Sequence, residues 1–548
     1  MSSPFAKVLG TNYCPTNKEV KEIKALLVKP SLRLKHIDDK ITVLQKLIRE
    51  LTQERDEIAI YVDPYKALIS PVRRLPLDII QEIFVACLPT HRNCVMSAQE
   101  APVLLGRICS AWRTMSLSTP RLWASLHVVG PIHPSGPIHP SGVFDDIHHY
   151  NKKVEQQLEV ARSWLGRSGQ CLLSISLENY ILPDPFTPGS DPFMSMFIEF
   201  ASRWQNIGFK ASGSALRTLS CLTESDAPAL QTVRLEYYPV WQPVSWNLFS
   251  FIRGSNVSTL ALRTLRLDGL ELPLRWEQLI ELSLEIYAGQ PVEPLSTSDD
   301  LLRVFSQCPR LQRCSIITNT VELGSVVHSE SFTVEALSLK KLLIRCIQPD
   351  TVAIQTLLNH LSAPELRDFT LKAYPDDGVA SPRLSLFPFL ARSTRLESLD
   401  IDTTWPSTSS LAELLCSLPP AVRRLRIDDS SDPPVLDDSF LAILTPSTDE
   451  SRPASRCLPF LEELYLANCP RLTDDALLRC INARMVVGPP SALRRVTAHN
   501  IRQRDDDILP DLHTFSDTLQ VSLEYAPPVQ WRSYPWKGLP DDPALLPR

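Results

Sequence analysis

The sequence predicts a mixed chain, α+β and α/β. An N-terminal helical region leads into an irregular α/β solenoid whose parallel strands line a concave side. Two observations carry this. Between residues 34 and 62, aliphatic side chains recur at alternating spacings of three and four, the seam period of a long helix. From Leu230 onward, the pattern L-x-x-L-x-L returns at starts mostly 26–32 residues apart. No single unit of that length can bury its apolar face, so such units must stack.

In chain order, "PTNKEVKEIKALLVKP" offers Thr16 as N-cap with Glu19 three residues on, a capping box. Val20, Ile23 and Leu27 follow at helical spacing, and Pro30 is expected to end the element. Residues 1–30 are thus a leader with a short helix. Residues 31–66 form the heptad helix, with Leu34, Ile37, Ile41, Leu44, Ile48, Leu51, Ile58 and Val62 on the seam. Leu47 falls at a g position and widens the stripe, while Arg55 interrupts it. Two arrangements fit: a homodimeric coiled coil, or an intramolecular hairpin with residues 19–28 folded back over the seam.

The stretch "SPVRRLPLDIIQEIFVACLP" then packs aliphatics behind Arg73, Arg74 and Pro76. Asp78 suits the positive end of a helix dipole. Ile79, Ile80, Ile83 and Phe84 share one helical face. A second apolar helix, "VLLGRICSAWRTMSLSTPRLWASL", aligns Val103, Leu104, Ile108 and Trp112, with Leu117, Leu122 and Trp123 beyond.

In "LPLDIIQEIF" followed by "LLGRICSAWRTMSLSTPRLWASL", residues 70–127 resemble an F-box. The leader "LGTNYCPTNKEV" and "NCVMSAQEAPVLLGRICSAW" are similar to the large F-box family of mushroom-forming fungi. Asp78 stands where that family commonly has Glu, and the link between the two apolar helices is long. The resemblance implies docking onto the small adaptor of an SCF-type cullin–RING ubiquitin ligase and, through the adaptor, onto the cullin. Leu75, Pro76, Leu77, Ile80 and Phe84 are the main docking candidates, with Ile79, Ile83, Leu104 and Trp112 beside them. Trp112, Cys109 and Leu122 also suit a small helical core.

Residues 128–167 hold the tandem "GPIHPSGPIHPSG", read as a Pro/Gly/Ser loop, and a linking helix on Val154, Leu158, Ala161 and Leu165. Residues 168–525 are the expected solenoid. Its units include "LQTVRL" (230–235), "LRTLRL" (262–267), "LIELSL" (279–284), "LRDFTL" (366–371), "LESLDI" (396–401), "VRRLRI" (422–427) and "LEELYL" (461–466). The spacing approaches that of leucine-rich repeats. "LEELYLANCPRLTDDALLRCI" resembles their cysteine-containing type. The intervals from Leu262 to Leu279 and from Val422 to Leu461 are irregular. Exposed strand positions are the target-binding candidates: Arg234, Glu236, Arg266, Asp268, Glu285, Lys372, Asp400, Asp402, Arg426, Asp428 and Tyr465. Singly, each is also an ordinary solvated side chain; their shared face is what suggests recognition. The tail, 526–548, is Pro-rich, and Trp531, Tyr534 and Trp536 favour partial docking.

Other classes are disfavoured. With 56 basic and 62 acidic residues the net charge is −6, against the basic footprint of a nucleic-acid binder. No run of 18 apolar residues suggests a membrane span, and no apolar secretory h-region is visible. The 13 cysteines are scattered, as reduced thiols of a cytoplasmic or nuclear protein would be. Nucleotide-loop, hydrolase and zincin motifs are missing. The acidic runs at Asp474–Asp475 and Asp505–Asp507 lack EF-hand spacing and read as solvated turns. The chain is therefore expected to be no enzyme and to need no cofactor or metal. It reads as a substrate receptor holding an unknown target protein, or alternatively as a non-degradative scaffold.

Overall fold

A computed structural model describes residues 4–5, 8–131, 147–179, 191–238, 244–254, 256–264, 272–286, 298–318, 333–346, 351–373, 384–404, 408–429, 434–446, 457–487, 493–500, 502 and 504–526. The tandem His/Pro motif, Arg266, Asp268 and the aromatics of the tail lie outside them. The chain forms two compact units, Met1–Ala86 and Cys87–Arg548.

In the first unit, helix α1 spans Asn17–Leu68. It opens on the expected capping box. The Thr16 amide donates to Glu19 Oε2 at 2.8 Å, and the Glu19 amide donates to Thr16 Oγ1 at 3.4 Å. Pro30 does not end it: the helix continues through Pro30 and Pro64. A proline inside a helix removes one backbone bond and costs about 3 kcal/mol; the Leu- and Lys-rich turns around Pro30, good helix formers, offset it. Every described side chain of α1 is exposed or half-buried, so the seam is not covered by a hairpin. Helix α2, Leu77–Ala86, follows Pro76 with Asp78 in its first turn.

The second unit starts with two short helices, α3 (Leu105–Ile108) and α4 (Ser110–Leu117), where one continuous helix was expected. Cys109 takes extended backbone between them and caps α4, its sulfur accepting from the Trp112 amide. A 14-stranded sheet follows, and all its pairings are parallel. Its strands, in spatial order, are β1 (Ser125–Val129), β2 (Leu173–Glu178), β3 (Trp204–Ser212), β4 (Thr232–Tyr238), β5 (Thr259–Thr264), β6 (Glu281–Ile286) and β7 (Arg313–Thr318). The order continues, with β8 (Val334–Glu335) set aside, through β9 (Lys341–Cys346) and, with β10 (Leu361–Ser362) set aside, through β11 (Asp368–Ala373), β12 (Ser398–Asp402), β13 (Arg424–Asp428), β14 (Glu463–Ala467), β15 (Arg495–His499) and β16 (Gln520–Glu524). Strands β8 and β10 pair separately. The returns carry 3-10 turns and helices α5 (Ile147–Arg167), α6 (Pro192–Ile198), α7 (Gly213–Arg217), α8 (Ser298–Gln307), α9 (Thr351–His360), α10 (Phe387–Arg392), α11 (Thr408–Ser417), α12 (Asp438–Leu444), α13 (Asp474–Val487) and α14 (Leu509–Leu512).

The reason is the repeat itself. In most units two alternate apolar residues of the strand face inward, as Leu464 and Leu466 do, and the leading residue, here Leu461, plugs the turn; all three are buried, whereas Val521 and Leu523 of β16 are half-buried. Each such side chain contributes about 1.5–3 kcal/mol. Two boundaries differ from expectation. The sheet begins at Ser125, inside the segment assigned to the F-box, because "PRLWASLHV" already follows the repeat rule: Leu122, Leu126 and Val128 are buried. The open edge of β1 is covered by residues 93–95. The His127 amide donates to Cys94 O at 2.6 Å, and the Asn93 side chain bonds Ser125, Ser174 and Ser176.

The second difference is one of frame. Strand β5 turns Leu260 and Leu262 inward behind Val257, so the unit begins at Val257 rather than Leu262. The intervals from Leu230 to Val257 to Leu279 become 27 and 22 residues, both of leucine-rich-repeat length, while the 39 residues from Val422 to Leu461 remain long. Cys416 of α11 and Cys457 lie side by side, with Cα atoms 4.9 Å apart. None of the other cysteines forms a disulfide.

Candidate protein-recognition surfaces

The parallel register stacks equivalent positions into straight rows on the sheet side away from the helices. One row runs Arg234–Ala261–Ser283–Ser315–Leu343–Thr370–Asp400–Arg426–Tyr465–Thr497. The row two residues on runs Glu178–Lys210–Glu236–Arg263–Glu285–Ile317–Arg345–Lys372 and, further along the sheet, Asp402–Asp428–Ala467–His499–Glu524. The described target-binding candidates, nine residues named from the sequence, all fall on these rows.

The charges neutralise one another across strands. Lys210 lies 3.1 Å from Glu178, and Arg263 lies 3.9 Å from Glu236 and 3.4 Å from Glu285. Near the C-terminal end, Arg426 Nε stands 3.8 Å from Asp400, and its guanidinium sits 3.8 Å above the Tyr465 ring. Tyr465 in turn contacts His499 at 5.2 Å between centroids, and His499 Nδ1 is 2.7 Å from Glu524.

Two candidates are not open recognition groups. Asp402 is 1% exposed. Its carboxylate accepts from the Ala373 amide and, at 3.0 Å, from the Thr404 amide. Burial pushes its carboxyl up to about 6. It ties the end of β12 to β11. Lys372 is also buried, 2.6 Å from Asp400 and donating to Ile401 O at 3.3 Å. Asp428 accepts from Asn468 Nδ2 at 2.8 Å, and Asn468 turns the chain after β14 at φ 54°.

Sequence reasoning missed Lys210, Arg263, Leu343, Ile317 and His499 on the same face. The signal was present, since each alternates with buried aliphatics, but Arg263 became readable only in the Val257 frame. The middle of the first row, Ala261 to Thr370, carries no charge, and Ile317 adds an aliphatic beside it.

The docking candidates divide as well. In α2, Phe84 is 0% and Ile80 8% exposed, so neither is free to hold a partner. Leu77, Ile79 and Ile83 are open at 59%, 45% and 42%. Leu75 is half-buried and Pro76 exposed. In the second unit, Leu104, Ile108 and Leu117 are exposed, while Trp112 is half-buried. Among the described residues no helix is long and apolar enough to cross a membrane.

No protein-family model matches the chain, and no curated protein matches it. Among solved structures it is similar to one titled "Crystal structure of TLR13-ssRNA13 complex", at 13% identity and a TM-score of 0.22, over 67% of this chain. The chain spans 63% of that protein. What the topology establishes is a long N-terminal helix followed by a 14-stranded parallel sheet of the leucine-rich-repeat kind.

Proposed function

We propose that the chain is an F-box substrate receptor of an SCF-type ubiquitin ligase. The "LPLDIIQEIF" helix holds the adaptor, and the charged-and-neutral rows of the sheet hold a target protein. The receptor performs no bond chemistry; it keeps target lysines near a ubiquitin carrier, and rate gain comes from proximity. The observation that carries the reading is the open aliphatic trio of α2 within the F-box-like motif. Leu77, Ile79 and Ile83 remain about half exposed although Ile80 and Phe84 on the adjoining side are buried.

The magnitudes bound the interface. A half-exposed aliphatic has about 1 kcal/mol left to gain from burial. Leu77, Ile79 and Ile83 together supply about 3 kcal/mol, below the lower cost of association. Tight binding therefore requires complementary polar contacts around them, for which Arg73, Arg74 and Asp78 are placed in sequence.

Co-purification with the adaptor tests this. Leu77→Asp with Ile83→Asp alters exposed positions only, so the fold should persist while adaptor affinity falls at least tenfold. A wild-type chain that captures no adaptor, or a double variant that captures it equally well, refutes the docking face. Cullin in the same precipitate separates a degradative receptor from a scaffold that binds the adaptor alone.

A further inference from the structure

We propose that residues 34–62 of α1 pair in parallel with the same segment of a second copy of this chain, as a two-stranded coiled coil. This does not rest on the docking proposal and requires no adaptor.

The helix presents the segment for pairing. Residues 31–63 are free of proline between Pro30 and Pro64, so this span can follow a supercoil without a kink. At 1.5 Å per residue the seam is about 43 Å long. Its aliphatics stand open: Ile41 46%, Leu44 57%, Ile48 61% and Leu51 55% exposed. A long amphipathic helix draws most of its stability from packing its apolar face, and no described residue of this chain covers that face. Half-exposed aliphatics have on the order of 50 Å² each still to bury. Summed over the seam of both copies this is on the order of 1,000 Å², the lower bound for a specific interface.

The residue types choose the occupant. With Leu47 at g, Ile41 and Ile48 are at a, and Leu44 and Leu51 at d. In these two central heptads β-branched residues at a with Leu at d favour two parallel strands, whereas the outer layers, with Leu34 at a and Ile37 and Ile58 at d, do not, so strand number rests on the centre and on Arg55. Arg55 is a polar a residue, the kind that fixes register and strand number. In a parallel pair the hole that receives Arg55 includes Glu54 of the second copy. The single-chain contact of Arg55 with Asp56, at 2.6 Å, is an exposed pair that gives way at little cost.

The flanks agree. A g residue meets the e residue five positions on in the other helix. Arg33 then faces Asp38, twice by symmetry, and Lys40 faces Gln45, Leu47 faces Thr52 and Glu54 faces Ala59. No like charges meet in these g–e pairs; in the core layer Arg55 faces its own copy, and Glu54 of each helix offsets that repulsion. An antiparallel pair keeping the same layers would set Arg55 against Ile37 and lose Arg33–Asp38.

Sedimentation equilibrium on the full chain at tens of micromolar tests the proposal. The expected mass is twice 61.6 kDa. Ile41→Asp with Ile48→Asp should give a monomer, at least 100-fold weaker in self-association, with the melting of the second unit unchanged. Asp38→Arg should weaken the dimer several-fold, and Arg33→Asp added to it should restore it. A monomeric wild type overturns the proposal, as does a dimer that survives Ile41→Asp with Ile48→Asp. Failure of the double charge reversal to restore the dimer overturns the parallel alignment.

Discussion

Replacing Asp474 with Ala should release the C-terminal end of the solenoid and leave the rest closed. Asp474 is in the first turn of α13 and is fully buried. Its carboxylate accepts from the Arg502 guanidinium at 2.5 and 3.3 Å, the Asp505 and Asp506 amides at 2.9 and 3.1 Å, and the Tyr525 hydroxyl at 2.8 Å. Burial alone would raise this carboxyl. The bonds from Arg502, Asp506, Tyr525 and Asp505 outweigh burial and hold it below the ordinary value. Without the carboxylate, the Arg502 side chain, 12% exposed, keeps its charge and loses this partner. Removing one member of a buried pair costs about 3–5 kcal/mol where nothing compensates the charge left behind; Arg502 keeps Asp505 at 3.0 Å, so the loss lies toward the lower end. The Asp505 and Asp506 amides lie on an exposed turn and can turn to water, so they add little. Among the described residues strand β16 pairs only with β15, and repeats couple mainly to neighbours, so the loss stays at that end. At about 1.4 kcal/mol per decade, hydrogen-exchange protection in Gln520–Glu524 should fall roughly 10²–10³-fold, while β11 to β13 hold theirs. Asp475→Ala, breaking only an exposed pair with Arg479, is the control and should change stability by under about 0.5 kcal/mol. Because the Asp474 carboxyl is held low, its contribution is complete above the unfolded value and is lost as pH falls through the folded one. The same strand should open first in acid. Unchanged protection in β16, or equal loss in every strand, would refute the reasoning.

Two further outcomes follow from buried polar groups. Arg484 is 1% exposed and donates to the carbonyls of Leu444, Cys457 and Leu458 at 2.8, 3.2 and 3.1 Å. Arg484→Met keeps the volume but strands these acceptors, and should cost about 3–5 kcal/mol in urea unfolding; a midpoint within error of wild type would count against it. For Asp402, the folded carboxyl titrates near 6, above its unfolded value. Its stabilisation is therefore full below about pH 4 and lost as pH rises to about 6, by at most about 3 kcal/mol. Melts at pH 4.5 and 6.5 on wild type and Asp402→Asn check this: the variant should lose that slope, and an equal slope in both would exclude Asp402 as its source.

The legible part of the molecule was the part written in short-range periodicity. The capping box, the heptad seam and the inward aliphatics of most strands need only neighbours within one turn or one repeat, and they were readable. Pro30 misled because a local breaker was outweighed by the long run of good helix formers around it. The β5 frame misled because "LRTLRL" and "VSTLAL" overlap, and only the register against β4 decides between them. In α2, Ile79 and Ile80 are chemically equivalent neighbours, and helical periodicity alone does not say which of them is buried. The Asp474 turn was read as solvated because its partners, Arg502 and Tyr525, lie 28 and 51 residues away. Cys416 and Cys457 are separated by 41 residues, beyond any spacing rule.

The pairing of charges on the sheet constrains how a receptor of this kind could grip a target. Half-exposed ion pairs such as Lys210–Glu178 and Arg263–Glu285 are each worth under about 1 kcal/mol to the fold. Their larger effect is to cancel the field that would steer a charged partner from afar, consistent with a net charge of only −6. A target that displaced them would have to desolvate both members and re-pair them. The uncharged lane from Ala261 through Ser283, Ser315 and Leu343 to Thr370 imposes no such cost, and Ile317 adds apolar surface to it. On one side of the lane stands the Arg426–Tyr465 stack, the residue types that most often anchor interfaces. Under the receptor proposal, binding energy would come from that lane and that stack. The flanking pairs would serve to reject partners whose charges cannot mirror theirs.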